Sequence, residues 1–121
     1  MQEIVSVSLE GQVQLKSYDL PAEALVAGDP QPRAWSVTSD DGNGLNVVSG
    51  IFEADPGVIC NPVRAVETIY VLKGRTRIEL DTGDAVDLKA GDIAVLPRGS
   101  VATWTFTQPF KEFFVLSGVA A

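Results

Sequence analysis

The chain has 121 residues, a length typical of one domain, and 45% of them are apolar, which is enough for a sizeable buried core. Its formal net charge of −7 would repel a phosphate backbone and no cluster of Lys or Arg offsets it, so we expect no nucleic-acid partner. The single cysteine cannot form an internal disulfide, and no apolar run approaches the roughly 20 residues of a membrane-spanning helix. Since the N-terminus also lacks a signal-like segment, we expect a cytoplasmic protein without a membrane partner.

Residues 1–44 are predicted to form an N-terminal arm. An edge strand is predicted within it, at residues 4–9 or at residues 12–15. Residues 17–44 are rich in Pro, Gly and Asp, and only residues 22–26 favour a brief helical turn. We expect the arm and its edge strand to pack on a domain formed by the rest of the chain.

Short β-rich segments follow one another from residue 45 onward. The turn sequences that separate them are ADPG, LKG, DTGD, KAGD, LPRG and TQP. Strands are predicted at 45–54, 66–72, 76–80, 85–88, 93–96, 101–107 and 113–116. Evenly spaced strands with almost no helical periodicity predict an all-β sandwich or barrel over residues 45–118. No repeat or linker indicates a second domain.

Two sets of spaced residues, Gly57, Glu67 and Gly74, then Gly91, Pro97 and Gly99, carry a family resemblance. With the phrases GDPQPRAW, SGIFEADPG, ETIYVLKGRTRIEL, AGDIAVLPRGSVATW and FKEFFVL, they resemble the small cupins grouped with ureidoglycine aminohydrolase and ethanolamine-utilisation cupins. The resemblance covers residues 28–117. It implies an RmlC-like cupin β-barrel, also described as a jelly roll or double-stranded β-helix.

The resemblance also implies a histidine-based metal site, which this sequence does not retain. The histidines of the first cupin motif would fall within residues 60–63, Ala102 stands where the last histidine belongs, and the chain contains no histidine. Of the usual ligands only Glu67 remains. A set of Cys60, Asn61 and Glu67 would be an unusual metal site, and Cys60 alone is more typical of a small buried apolar residue. We therefore expect no metal cofactor.

Strand alternation predicts which side chains face the barrel interior. Glu67 faces inward in the family, so Ile69 and Val71 share its face because side chains alternate with a period of two. Trp104 and Phe106 likewise share the face of Ala102. Trp104 therefore either fills the core or forms a wall on which a ligand stacks.

Glu67 is the first candidate for ligand binding and for catalysis. A carboxylate that faces a barrel interior must be paired, protonated or hydrogen-bonded, and Arg64, Tyr70 or Trp104 are possible donors. Either a structural network or a ligand-binding or acid–base role would explain it. Further ligand-binding candidates are Trp104, Tyr70, Glu53 and Arg64, whereas Arg75 and Arg77 are expected on a solvated outer face or a subunit interface.

Two functions from different classes remain open. The first is a metal-free small cupin that binds a small organic molecule in the barrel, or serves as an accessory dimeric protein. The alternative is a small-metabolite enzyme related to ureidoglycine aminohydrolase or to ethanolamine-utilisation cupins, using Glu67. Without histidine, a Ser-His-Asp or Cys-His nucleophile is excluded. We also expect a homodimer, formed through exposed sheet edges or outer faces, because the strand-rich ends IVSVSL and KEFFVLSGVAA would otherwise leave apolar edges open.

Overall fold

The computed structural model describes residues 4, 6, 8, 15–17, 20–38 and 47–118. Regular structure in these residues is β-strand apart from one 3₁₀ turn at Ala22–Ala24. The strands are β1 (Lys16–Ser17), β2 (Leu25–Gly28), β3 (Arg33–Thr38), β4 (Val47–Ala54), β5 (Gly57–Pro62), β6 (Val66–Lys73), β7 (Arg75–Leu80), β8 (Ala85–Lys89), β9 (Ile93–Leu96), β10 (Val101–Phe106) and β11 (Phe110–Ser117). No helix of the described residues is long and apolar enough to span a membrane.

The strands form two antiparallel sheets. The six-stranded sheet has the order β1-β3-β4-β11-β6-β9, and the five-stranded sheet has the order β2-β5-β10-β7-β8. Sequence neighbours therefore often lie in different sheets, as in a jelly roll, where the two sheets enclose one core. The all-β barrel predicted from the sequence is confirmed.

Seven strands lie where the segments from residue 45 onward predicted them. The last of them, predicted at 113–116, extends over Phe110–Ser117. Strand β5 was missed, because the sequence GVICNP contains Gly, Asn and Pro, which are uncommon inside strands. The edge strand predicted at 4–9 or 12–15 falls largely outside the described residues, and the helical turn predicted at 22–26 is the 3₁₀ turn.

Part of the predicted arm is built into both sheets. Strand β3 pairs with β4 in the six-stranded sheet, where Ala34 lies opposite Phe52. Strand β2 pairs with β5 in the five-stranded sheet, with Leu25 opposite Ile59. Because β3 adds side chains to the inner face of its sheet, residues before 45 contribute to the barrel interior.

The core lies between the inner faces of the two sheets. Alternation along β6 buries Ile69 and Val71, and alternation along β10 buries Ala102, Trp104 and Phe106, as predicted. The buried cluster consists of Ala54, Ile59, Val63, Ile69, Val71, Ile78, Leu88, Leu96, Ala102, Trp104, Phe106 and Phe110. These side chains hold the sheets together by removing apolar surface from water.

Gly74 closes the tight turn between β6 and β7. Its φ of +78° lies in the left-handed region that side chains with a Cβ rarely adopt. A Cβ at this position would also meet the carbonyl oxygen of Pro109. Two independent constraints therefore require glycine in a turn that orients β6.

An apolar row crosses the outer face of the six-stranded sheet. Strand register aligns Trp35 with Ile51, Ile51 with Phe113, Phe113 with Tyr70, and Tyr70 with Ile93. We call these five residues the outer row. Its last members lie open to solvent, since Tyr70 is 43% and Ile93 is 68% exposed.

Candidate functional site

A cavity of about 120 Å³ lies against the inner face of the six-stranded sheet. Its described lining consists of two carboxyl side chains, three aromatic rings and two aliphatic side chains: Glu67, Glu112, Phe52, Trp104, Phe114, Ala34 and Leu116. Trp104 comes from the opposite sheet and the others come from β3, β4, β6 and β11. An apolar hollow with a few convergent polar groups is typical of a small-molecule site.

Alternation along β11 places three of the lining residues on one face. Glu112, Phe114 and Leu116 are spaced by two residues and all contact the cavity. Strand β11 lies between β4 and β6, with Glu112 opposite Phe52 and Leu116 opposite Glu67. This central strand therefore supplies the middle of the cavity lining.

Glu112 is the most deeply buried charged residue of the described chain. It is 2% exposed, and its Oε1 has no hydrogen-bond partner. Burial raises the pKa of Glu112 well above its usual range, and the nearby charge of Glu67 raises it further. At neutral pH this carboxyl is therefore held mainly in its protonated form.

Sequence reasoning missed Glu112 as a site residue. It lies within FKEFFVL, where apolar residues occupy both faces of the strand and hide the alternation. The available signal was its spacing of two from Phe110 and Phe114, which places an acidic side chain among buried rings. Reading β11 as a central strand would have identified it.

Glu67 lies on β6 in the same cavity. Burial raises its pKa from 4.5 to about 7, so a large fraction is protonated near neutral pH. Within the described residues, no hydrogen bond joins Glu67 to Arg64, Tyr70 or Trp104, the three donors considered from the sequence. Removal from water, rather than a polar partner, sets the protonation of this carboxyl.

Aromatic rings form the wall of the cavity and continue into the core. The ring centroid of Trp104 lies 6.5 Å from that of Phe52 and 6.0 Å from that of Phe106. Trp104 is 8% exposed and lines the cavity. It therefore fills the core and forms a wall at the same time, so the two alternatives for this residue do not exclude one another.

Three of the candidate residues lie outside the described lining of the cavity. Glu53 belongs to the opposite face of β4, where it forms ion pairs with Arg33 at 3.2 Å and Lys111 at 3.8 Å. Tyr70 is in the outer row because its position on β6 alternates with Glu67. Arg64 is exposed in the connection between β5 and β6. Of the five candidate residues chosen from the sequence, only Glu67 and Trp104 line the cavity.

The arginines expected on the outside are exposed. Arg77 lies on the outer face of β7, where it pairs with Asp87 at 2.9 Å and with Glu79 at 3.1 Å. Arg75 shares this face because the two residues are spaced by two. Ile78, which alternates with them, is 1% exposed. This surface is separated from the cavity by the five-stranded sheet.

The residues of the barrel do not fit the metal centre that cupins usually hold. Within the described residues, no group of three or more Cys, Asp or Glu side chains comes together as ligands. Cys60 lies opposite Thr103 on the outer face of β5, and it is half-buried rather than fully buried as its residue type predicted. Because Cys60 faces away from the barrel interior, it cannot bind a metal ion together with Glu67. Glu67 and Glu112 supply carboxyl oxygens only.

Two antiparallel sheets that enclose an apolar core, with a small cavity between them, define a jelly-roll protein of the cupin class. The chain belongs to the EutQ-like cupin domain family, which matches residues 42–118. The resemblance to the ethanolamine-utilisation cupins predicted from the sequence is thereby confirmed. No curated protein sequence matches the chain.

Solved structures of similar fold include two that are described as EutQ proteins. The Clostridium difficile EutQ protein is 17% identical, with a TM-score of 0.66 over 74% of this chain and 64% of that one. A putative ethanolamine utilization protein Q from Salmonella typhimurium is 15% identical, with a TM-score of 0.68 over 91% of this chain and all of that one. A protein of unknown function from Pseudomonas syringae is 20% identical, with a TM-score of 0.73 over 87% of this chain and 45% of that one. At these identities the likeness shows the fold alone.

Proposed function

We propose that this protein binds a small organic molecule inside the barrel without the help of a metal ion. The observation that carries the proposal is Glu112, a carboxyl with an unpartnered oxygen in an apolar cavity that it shares with Glu67. A buried polar group without a partner costs free energy, so a protein that keeps one in its core normally uses it. A bound molecule would supply the missing hydrogen bond.

The two ends of the cavity differ in their access to solvent. Glu112 and Trp104 are buried, whereas Ala34, Glu67, Phe114 and Leu116 are only partly buried. A molecule would therefore enter on the partly buried side, to which Ala34 belongs, and reach Glu112 last. Glu67 lies where it would contact the part of the molecule nearest the opening.

Binding is tested by ligand-observed NMR with a mixture of compounds of roughly three to six non-hydrogen atoms, the size that the cavity volume admits. The compounds carry amine, hydroxyl, amide or carboxylate groups. Ala34→Leu fills the entrance and is expected to abolish binding, while Ala90→Leu, at an exposed turn position, provides a matched control. Wild-type protein that binds no compound of this set would contradict the proposal.

The metal-free part of the proposal is tested separately. Metal content is measured by mass spectrometry on untagged protein, since a histidine tag would add the ligands that this chain lacks. We expect no stoichiometric transition metal. About one tightly held metal ion per chain would require an unconventional site and would overturn this part of the proposal.

A second candidate function is acid–base chemistry on the bound molecule, as in a small-metabolite enzyme related to the ethanolamine-utilisation cupins. The observation that favours it is the pKa of Glu67, about 7, beside a Glu112 carboxyl held protonated. Two carboxyls in different protonation states suit proton transfer. Conversion of a bound compound, followed by NMR over time, would establish it. Glu67→Gln should then stop conversion even at compound concentrations that saturate the variant.

A homodimer remains part of the proposal, formed through an outer face rather than a sheet edge. Strand β11 contains most of KEFFVLSGVAA and lies inside its sheet between β4 and β6, so it offers no open edge. The other predicted edge, IVSVSL, falls largely outside the described residues. Strand β9 ends the six-stranded sheet, and Ile93 and Val95 on its outer face are 68% and 60% exposed. We propose that this face meets a second copy of the chain, and that the protein is cytoplasmic.

A further inference from the structure

The cavity is acidic, and its carboxyl pair can give up a proton to pair with a cation. Its two titratable groups among the described lining residues, Glu67 and Glu112, are both carboxyls, and no described Lys or Arg lines it. The Oε1 of Glu112 has no partner although the residue is 2% exposed. A ligand with N–H donors would therefore recover more free energy here than a ligand with acceptors.

The aromatic wall favours the same kind of ligand. Phe52, Trp104 and Phe114 line the cavity beside the two carboxyls. The face of an aromatic ring carries partial negative charge and attracts a cation, most strongly in a site removed from water. Carboxyls and ring faces thus act in the same direction, and both disfavour an anion.

The charge of the carboxyl pair and the volume of the cavity restrict which ligands can bind. Two carboxyls that share one poorly solvated cavity do not both ionise readily, so the pair tends to keep one proton and carry a single negative charge. One positive charge balances it. A volume of about 120 Å³ admits roughly four non-hydrogen atoms, if each takes about the 30 Å³ that a water molecule occupies in the liquid.

Building on the proposed function, we propose that the ligand is a small organic monocation, an alkylammonium of about four non-hydrogen atoms. Its N–H groups donate to the carboxyls of Glu67 and Glu112. Its alkyl part lies against the rings of Phe52, Trp104 and Phe114.

Three compounds with three carbon atoms and similar size test the charge of the ligand. Propylammonium, 1-propanol and propanoate are titrated into the full chain at about pH 6.5, where Glu67 with its pKa of about 7 is still largely protonated, and calorimetry is the readout. We expect propylammonium to bind at least about tenfold more tightly than 1-propanol, since a charge-assisted hydrogen bond is stronger than a neutral one. Propanoate should bind most weakly. Binding of the cation should also release protons, detected as a dependence of the binding enthalpy on the buffer.

Two isosteric substitutions and a control separate the binding role from a structural one. Glu112→Gln and Glu67→Gln keep the shape of the cavity, and each removes one of its two carboxyls. Each should weaken propylammonium binding about tenfold or more, and Glu67→Gln should also remove most of the release of protons. Neither should weaken binding of 1-propanol to the same degree. Glu79→Gln changes an exposed glutamate on the outer face of β7 and should leave both affinities unchanged.

The outcomes distinguish this inference from the proposed function on which it rests. If 1-propanol or propanoate binds as tightly as propylammonium, the cavity binds small molecules and the inference about charge is wrong. If none of the three compounds binds, the inference fails, whereas the proposed function fails only if no compound of the wider NMR set binds. Propylammonium binding that survives Glu112→Gln unchanged would also overturn the inference, because the cation would then lie elsewhere.

Discussion

Glu67 and Glu112 share one cavity although they do not face each other across the pair of strands that carries them. In the register of β6 and β11, Glu67 lies opposite Leu116 and Glu112 lies opposite Val71. Their side chains converge on the same cavity from these offset positions, and the charge of Glu67 contributes to the raised pKa of Glu112. The pair therefore titrates as a unit. Four measurements test the effect of this pair on stability and the roles of other residues in the fold.

The carboxyl pair should make the protein less stable as the pH rises. Glu67 has a pKa of 4.5 in the unfolded chain and about 7 in the folded protein, so the folded state holds the proton more tightly. Well below pH 4.5 the Glu67 carboxyl is protonated in both states, so its burial as a charge does not lower stability. The loss of stability begins as the pH rises past 4.5 and is complete above about pH 7. The shift is worth about 3 kcal/mol, and Glu112 acts in the same direction.

Chemical denaturation between about pH 5 and pH 8 measures this dependence. Glu67→Gln should raise the free energy of unfolding at the higher pH and flatten the curve. Glu79→Gln, at an exposed position, is the control and should keep the wild-type slope. A wild-type protein whose stability rises with pH over this range would show that the carboxyls are not desolvated.

Gly74→Ala should destabilise the fold by about 2 kcal/mol or more. The substitution forces a residue with a Cβ into a φ of +78° and against the carbonyl oxygen of Pro109. Thermal unfolding measures the loss. Gly83→Ala is a useful comparison, because φ there is +103° but nothing lies within 4 Å of the added Cβ. Equal losses for both variants would mean that the contact with Pro109 contributes nothing.

Glu53→Gln should lower the free energy of unfolding by less than about 1 kcal/mol, since it weakens ion pairs with Arg33 and Lys111 that remain partly exposed. Propylammonium binding should not change, because Glu53 lies outside the described lining of the cavity. Glu67→Gln is expected to have the opposite effect on stability at about pH 8. Denaturation and calorimetry on the two variants side by side test this contrast, and loss of binding in Glu53→Gln would contradict the assignment of faces.

Ile93→Asp should convert a dimer to a monomer if the outer face of β9 joins two copies. A buried charge without a partner is strongly unfavourable in an interface, whereas on an exposed surface it is tolerated. Light scattering coupled to size-exclusion chromatography measures the mass of each species. Val26→Asp places the same charge at a position of β2 that is 58% exposed and should leave the mass unchanged. A monomeric wild-type protein would refute the proposed dimer.

The sequence determined the local features of this fold because they depend on neighbouring residues in the chain. Turn residues between apolar runs located seven strands, and alternation placed Glu67 and Trp104 on inward faces. The absence of histidine by itself excluded the usual cupin ligand set. Local residue preferences did not predict β5, because Asn61 and Pro62 lie in this strand although both residue types are uncommon in strands.

Only the tertiary structure decided how these strands combine into a site. Strand β11 lies between β4 and β6, and this non-local register brings Glu112 into the cavity of Glu67. Tyr70 and Glu53, in contrast, lie outside the cavity because side chains alternate along their own strands. Pairing between distant strands is set by the packing of whole faces, which a single strand's pattern does not encode. The protonation of the two carboxyls follows from that packing, because burial removes the water that would otherwise solvate their charge.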